Sequence, residues 1–267
     1  MRYLELAPAP ALRPLIRCYW FLSGSGGGGS EPALPDGSPE LIVNLAAPME
    51  AGVGLESQSL VALVGQITAP LELRATGPVD IVGVRFEPHG ARVLTGDLAT
   101  LTDRWVDGRD LDRIDLWALR ERLGDAPSPG RRADRLDRHF GDLIRRTDYR
   151  SAGAVTAAIA RIRHAAAADP LAGLAATLGT SLRSLQRGFA AEVGISPKLF
   201  ARICRFQRVL AARRAGPTGW ARAAVECGYY DQAHLIRDFR QFAGATPTDL
   251  LATDSALWRL FAGQPGR

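Results

Sequence analysis

The amino-acid sequence predicts an α+β protein, with a mostly-β first half that ends in helices and an all-α second half. Three observations predict this. Five short segments between residues 15 and 86 are rich in β-branched and aromatic residues and bounded by Gly, Pro or Asp, the composition of strands. From Pro88 onward apolar residues recur every three or four positions, the period of helices. Within residues 171–247 one arrangement of residues occurs twice, 50 positions apart.

At 267 residues and 46% apolar content, the chain can bury a sizeable core and falls into one or two domains. It contains no apolar run of the ~18 residues that a membrane span needs. Its first residues, Met1-Arg2-Tyr3-Leu4-Glu5, lack a hydrophobic signal core. Neither a membrane contact nor export is expected. Cys18, Cys204 and Cys227 are odd in number and far apart, which argues against a disulfide framework and for a reducing cytoplasm.

In chain order, the strand candidates are 15–22, 40–45, 60–67, 71–75 and 79–86, closely spaced as in an antiparallel sandwich or small barrel. The glycine-rich run from Ser23 to Ser30 has no following Lys and no helix start, so it reads as a flexible surface loop and not a phosphate cradle. Helical spacing follows: a short helix opening at Pro88, then 111–123 with Leu111, Ile114, Leu116, Leu119 and Leu123 on one side, then 132–144 with Leu136, Phe140, Leu143 and Ile144. A loop at 125–130 separates the last two. Small and polar residues at 147–153 mark a boundary between domains at 1–148 and 151–253.

The second half is expected to be helical throughout. A helix over 154–167 precedes Pro170, which suits a first helical position. Both repeats fit L-x-R-x-F-x4-G-x-[ST]-P: Leu185, Arg187, Phe189, Gly194, Ser196 and Pro197, then Leu235, Arg237, Phe239, Gly244, Thr246 and Pro247. Upstream of each lies Ala-x3-Gly, at Ala175 and Gly179 and again at Ala224 and Gly228. A small residue lets two helices approach closely, and glycine supplies the positive φ of a tight turn. This is the form of a helix-turn-helix, whose second helix enters the DNA major groove.

Ser181 should cap a helix over 182–193 with Leu182, Leu185 and Phe189 in the core. Asp231 should cap a second, with Leu235, Phe239 and Phe242 inward. Between them a helix from Ser196-Pro197 to about residue 214 buries Leu199, Ile203, Phe206 and Leu210, and ends at Gly216-Pro217 before Thr218 caps the next. Its ~18 residues span roughly 27 Å, near the ~34 Å between successive major-groove segments on one face of B-DNA.

These residues resemble the AraC-type transcriptional regulators. The likeness covers roughly residues 155–253 and includes Cys227-Gly228-Tyr229-x-Asp231-Gln232-x-His234-Leu235 besides the repeats. Arg183 departs from the smaller or neutral residue that many members carry there. The stretches 39–45 (PELIVNL) and 83–91 (GVRFEPHGA) resemble, less specifically, an N-terminal module found fused to such domains. The resemblance implies a regulatory first half and double-stranded DNA as partner. A small-molecule effector or protein partner on the first half, RNA polymerase and a second copy of the chain are further partners open to such a protein.

Residue chemistry selects the contacts. Arginine can donate two parallel hydrogen bonds to guanine, and glutamine pairs similarly with adenine. Arg183, Gln186 and Arg187 on the first helix, and Gln232, His234 and Arg237 on the second, have that chemistry on outward faces. Arg187 and Arg237, being part of the repeat, suit the scaffold or the phosphate backbone as well as a base. Ser181 sits where it can reach a phosphate, and Arg205 is placed on an exposed face of the linking helix with the same role. Residues 151–251 hold 13 Lys/Arg against 6 Asp/Glu, a balance of +7, whereas the rest holds 20 against 22, or −2.

The rival reading is an enzyme or metabolite-binding module with an appended helical domain. His89, His139, His164 and His234 are scattered, no Cys or His pair has ligand spacing, and Cys227 reads as a small buried apolar residue. No catalytic set, metal site or cofactor is therefore expected. Trp20 and Trp105 read as core, with a ligand pocket as the alternative.

Overall fold

The computed structural model describes residues 1–26, 29–111, 114–147, 153–164, 171–215 and 220–252. Gly27 and Gly28 of the glycine loop, the 148–152 part of the expected boundary, Pro170, Gly216, Pro217 and Thr218 lie outside these residues.

The described residues of the first half form ten strands: β1 (Arg2–Leu6), β2 (Ile16–Ser25), β3 (Ser30–Ala33), β4 (Glu40–Asn44), β5 (Met49–Ala51), β6 (Glu56–Ser57), β7 (Val61–Val64), β8 (Leu71–Ala75), β9 (Pro78–Phe86) and β10 (Trp105–Asp107). They make a six-stranded sheet of order β1-β2-β9-β4-β7-β10 and a four-stranded sheet of order β3-β8-β5-β6, antiparallel throughout. Helices α1 (Leu116–Gly124) and α2 (Pro129–Arg146) follow.

The large sheet is the middle layer. Tyr19, Phe21, Leu41, Val43, Val84 and Phe86 point to one face and pack on Leu119, Leu136 and Phe140 of the helices. Phe86 and Phe140 meet edge-on at 5.8 Å. Cys18, Trp20, Leu22 and Ile81 point to the other face, toward Met49 and Leu73 of the small sheet. Both faces being covered, β2 reads as a continuous apolar run and not as an alternation. A bulge between Ile16 and Cys18 brings Ile16 onto the same face as Tyr19, three positions on.

All five expected strands are present. The strands that the sequence left unmarked are β1, β10, β3 and β6, each at a sheet edge, and β5, three residues long. An edge strand pairs on one side only and needs little apolar patterning. The short helix expected after Pro88 is present as the 3-10 helix Gly90–Val93. Two helical expectations are corrected. Leu111 precedes α1, which starts where Asp115 accepts from the Ala118 N–H at 2.8 Å. Pro129 and Gly130 belong to α2 and not to a loop, because Ser128 caps that helix and Pro129 occupies its first turn.

The second half comprises α3 (Gly153–His164), α4 (Leu171–Thr177), α5 (Leu182–Val193), α6 (Pro197–Ala215), α7 (Trp220–Glu226), α8 (Gln232–Ala243) and α9 (Pro247–Ala252). One core joins them, with Phe189, Phe200, Ile203, Phe206, Leu235, Phe239 and Phe242 all fully buried. No helix among the described residues is long and apolar enough to cross a membrane.

The halves are docked. Leu34 packs on the second-half core, the Gln207 side-chain amide donates to the Pro35 carbonyl at 2.6 Å, and the Thr102 hydroxyl donates to the Gly194 carbonyl at 2.6 Å. Arg163 of α3 pairs with Glu87.

Trp20 lies directly across from Gly83 in the β2–β9 register, and a Cβ at residue 83 would fall 1.9 Å from the buried indole. Gly83→Ala is therefore expected to displace Trp20 and destabilise the chain by about 1–3 kcal/mol in urea unfolding. An unchanged midpoint would show that the two sheets do not depend on this contact.

Candidate nucleic-acid interface

The sequence repeat is a structural repeat, bond for bond. In the first unit, α4 ends at Gly179 with φ +64°, and in the second α7 ends at Gly228 with φ +82°. The Thr180 N–H donates to the Ala175 carbonyl at 3.1 Å, and the Tyr229 N–H donates to the Ala224 carbonyl at 2.9 Å. This is the reversal by which a left-handed residue closes a helix, and glycine adopts it without strain. Ser181 then accepts from the Ser184 N–H at 3.1 Å to start α5, and Asp231 accepts from the His234 N–H at 2.6 Å to start α8.

Each second helix buries the repeat's Leu and Phe: Leu185 and Phe189 in α5, Leu235 and Phe239 in α8. Each ends on a left-handed glycine, Gly194 or Gly244. The next helix is capped alike, Ser196 accepting from the Leu199 N–H at 3.2 Å and Thr246 from the Asp249 N–H at 3.3 Å. Gly188 and Asp238 occupy equivalent positions and differ. A Cβ at Gly188 would meet Val155 at 3.2 Å, so α3 packs closely there. Asp238, 1% exposed, instead accepts two hydrogen bonds from Arg202 of α6 at 3.0 and 2.7 Å.

Ser181, Arg183, Gln186 and Arg187 form an exposed group on the first turns of α5. Gln232 and Arg237 are exposed on α8, with His234 half-buried between them. The His234 ring stands edge-on to Tyr229 at 5.0 Å. Burial, helped by Arg205, Arg237 and Arg202 and opposed by Asp238, holds its imidazole below the usual value. It is thus a neutral hydrogen-bonding group at neutral pH, not a cation for a phosphate.

Two expectations are corrected. Leu182 is 38% exposed at the start of α5 and is not core. Arg205 is 8% exposed, not on an open face. It lies one helical turn from Arg202 and next to Phe206, on the side of α6 that faces the second unit, with its guanidinium over the Tyr229 ring at 5.5 Å. It packs α6 against the turn. Lys198, Tyr230 and Arg240 are exposed on the same two units and escaped notice. Their signal lay in position: Tyr230 directly precedes the cap Asp231 and is 92% exposed.

The three cysteines are buried thiols. Burial pushes Cys18 up to about 12 and Cys204 to about 11, and raises Cys227 as well. A nucleophile or metal ligand needs the thiolate.

A second feature lies between the two sheets: a cavity of about 90 Å³ walled by Ile42, Met49, Leu73 and Ile81. Trp20 and the polar side chains of Arg85, Glu40 and Asp36 also line it. Trp20 is thus both core and cavity wall. Trp105 lines a neighbouring cavity of about 200 Å³ with Gly52 and Pro70. The PELIVNL and GVRFEPHGA stretches lie on paired strands, Glu40 opposite Arg85.

Asp238 is the polar pin between α6 and α8. Asp238→Ala is expected to cost roughly 1.5–3 kcal/mol in urea unfolding, since a charge-assisted pair is lost while Arg202, 26% exposed, rehydrates. A loss below ~0.5 kcal/mol would mean that the aromatic contacts alone hold α8.

Two family models match the chain: one described as a helix-turn-helix domain, over residues 174–253, and one described as a domain of unknown function (DUF6597), over residues 4–107. No curated protein matches it. Among solved structures it is similar to ToxT from Vibrio cholerae O395, with 9% identity over 87% of this chain and 97% of that one and a TM-score of 0.48. It is also similar to ToxT from Vibrio cholerae strain SCE256 bound to an unsaturated fatty acid (11% identity, 86% and 94% covered, TM-score 0.49). A third is a DNA-binding transcriptional dual regulator from Escherichia coli K-12 (26% identity, 40% and 96% covered, TM-score 0.34).

Proposed function

With residues 174–253 belonging to the AraC-type helix-turn-helix family, we propose that the chain is a sequence-specific transcription regulator that lays α5 and α8 into successive major-groove segments on one face of duplex DNA. The observation that carries this reading is the pair of identically capped helices, each presenting polar side chains outward just behind its cap and each tied to α6. The 19 residues of α6 span roughly 28 Å at 1.5 Å each, a rigid spacer close to the ~34 Å between groove segments.

Arg183 and Gln186 are assigned to base edges on the first half-site, and Gln232 and His234 to the second. Arg187 and Arg237, the repeated arginines, are assigned to phosphates, with Ser181 joining them at the α5 N-terminus. Residues 1–148 form the regulatory domain and 151–253 the reader. The cavity between the sheets is the candidate effector site. Contacts with RNA polymerase and pairing of two chains belong to the same proposal and rest on the regulator reading alone.

Footprinting on the DNA next to its own gene should supply a cognate site. Affinity for that site is expected to fall on the order of 10³-fold from 50 to 200 mM salt if six or more phosphates are contacted. Arg183→Ala should cost ~1–3 kcal/mol on the cognate site and little on unrelated duplexes, whereas Arg237→Ala should weaken all duplexes alike. Salt-independent binding, or an equal loss on every sequence for Arg183→Ala, would contradict these roles.

A further inference from the structure

We propose that the cavity between the sheets binds a small apolar amine, and that its occupancy reaches the DNA reader through the two loops that wall it. The proposal rests on the reading of the first half as a regulatory domain.

The polar end of the cavity holds more carboxyl groups than cations. Arg85 is 4% exposed; its Nε lies 2.7 Å from Glu40 and 3.2 Å from Asp36, and its Nη1 lies 3.2 Å from Glu5. Asp36 and Glu40, which line the cavity, and Glu5 beside it share this one guanidinium, and burial pushes the Glu40 carboxyl above its ordinary value. Uncompensated buried charge is costly, and a cation brought by a ligand would offset it. Asp36 and Glu40 each keep 20% of their side chain accessible, so a ligand can reach them.

Ser38 lines the same cavity, is 6% exposed, and its hydroxyl has no hydrogen-bond partner among the described residues. It offers an acceptor to an N–H group. The Trp20 indole, whose N–H donates to Glu40 at 3.2 Å, presents an aromatic surface that attracts cations. The remaining walls are apolar apart from Gln58, and the volume exceeds several-fold the ~10–15 Å³ that one water needs. A carboxylate ligand would meet a guanidinium already engaged and more carboxyl groups than cations.

The walls of this cavity are also the docking loops. In residues 34–38, Leu34, Asp36 and Ser38 face the cavity, while Pro35 accepts from Gln207 of α6. A Cβ at Gly37 would lie 2.8 Å from the Phe200 ring. The Gln66 amide donates to the Gly37 carbonyl at 3.0 Å and joins this loop to residues 65–71. There Gly65, Ile67 and Leu71 face the cavity. Thr68 is held to Asp103 by two hydrogen bonds of 2.6 and 2.7 Å, next to the Thr102 that bonds Gly194. Pro70 lies against Gly244, where a Cβ would be 3.5 Å away.

The first loop thus touches α6 and the second touches Gly244 of the second repeat, while Gly194 of the first repeat is reached one step further, through Asp103 and Thr102. An occupant that pairs with Asp36 and Ser38 fixes the loop position on which α6 rests, and DNA affinity changes to the extent that it favours one docked arrangement.

The test uses the full chain with 2-phenylethylamine and its charge-reversed counterpart 3-phenylpropionate. The amine at many times its Kd is expected to raise Tm by about 2–4 °C or more, and the carboxylate to leave it unchanged. The amine effect should disappear in Glu40→Gln, and in Ala33→Phe, which fills the cavity while leaving the ion cluster intact. The amine should also shift affinity for the footprinted site by about fivefold or more, and Gln207→Ala, which cuts the bond to Pro35, should reduce that shift without abolishing the Tm rise. Stabilisation by the carboxylate, or by neither compound, overturns the ligand assignment. Stabilisation by the amine with unchanged DNA affinity overturns the relay. Failure of the unliganded chain to bind any duplex would instead overturn the DNA-reading function, and the Tm arms would still decide the ligand.

Discussion

The two-sided burial of α6 is the constraint on which the rest depends. Phe200, Ile203, Phe206, Val209 and Leu210 are fully buried along it. Near its start Phe200 meets Phe189 of the first unit at 5.5 Å, and further on Phe206 meets Phe239 and Phe242 of the second at 5.0 and 5.5 Å. Each such ring contributes roughly 1.5–3 kcal/mol of apolar burial, and their sum ties both units to one rigid rod. Arg202 and Arg205 add direction, the first bonded to Asp238 and the second stacked on Tyr229. The spacing and mutual rotation of α5 and α8 follow from this helix.

Much of that arrangement was legible because it is local. Caps, positive-φ glycines and the 3.6-residue stripe are set by neighbours in sequence, and α5 begins and ends where Ser181 and Gly194 placed it. Arg205 was not legible. Its position on the helix wheel borders the buried stripe, and only the packing of the α7–α8 turn on α6 decides that an arginine there lies over Tyr229. Leu182 fails for the converse reason: its period is right, but at the first turn it stays 38% exposed. In the first half the central strands announced themselves by apolar density, while edge strands and the cluster around Arg85 did not. Glu5, Asp36, Glu40 and Arg85 are separated by up to 80 positions and meet only through strand order.

The same closing glycines that end α5 and α8 are where the first half touches the reader. Gly194 accepts from Thr102, and Gly244 lies against Pro70. A chain whose repeats close on a second body has a route by which that body can bias both units together. Among the described residues, polar contacts across the boundary include Arg163 with Glu87, Arg92 with Glu192, Gln207 with Pro35 and Thr102 with Gly194, and the ion pairs are partly solvated. Partly solvated ion pairs of this kind exchange with water at modest cost.

The central claim is that two helices held by one rod read one face of DNA. Selection of the full chain against a pool of randomised duplexes tests it most directly. The expected consensus has two blocks of preferred bases with centres about 10–10.5 base pairs apart and a fixed spacing between them. A consensus with a single block, or two blocks at freely variable spacing, would contradict it.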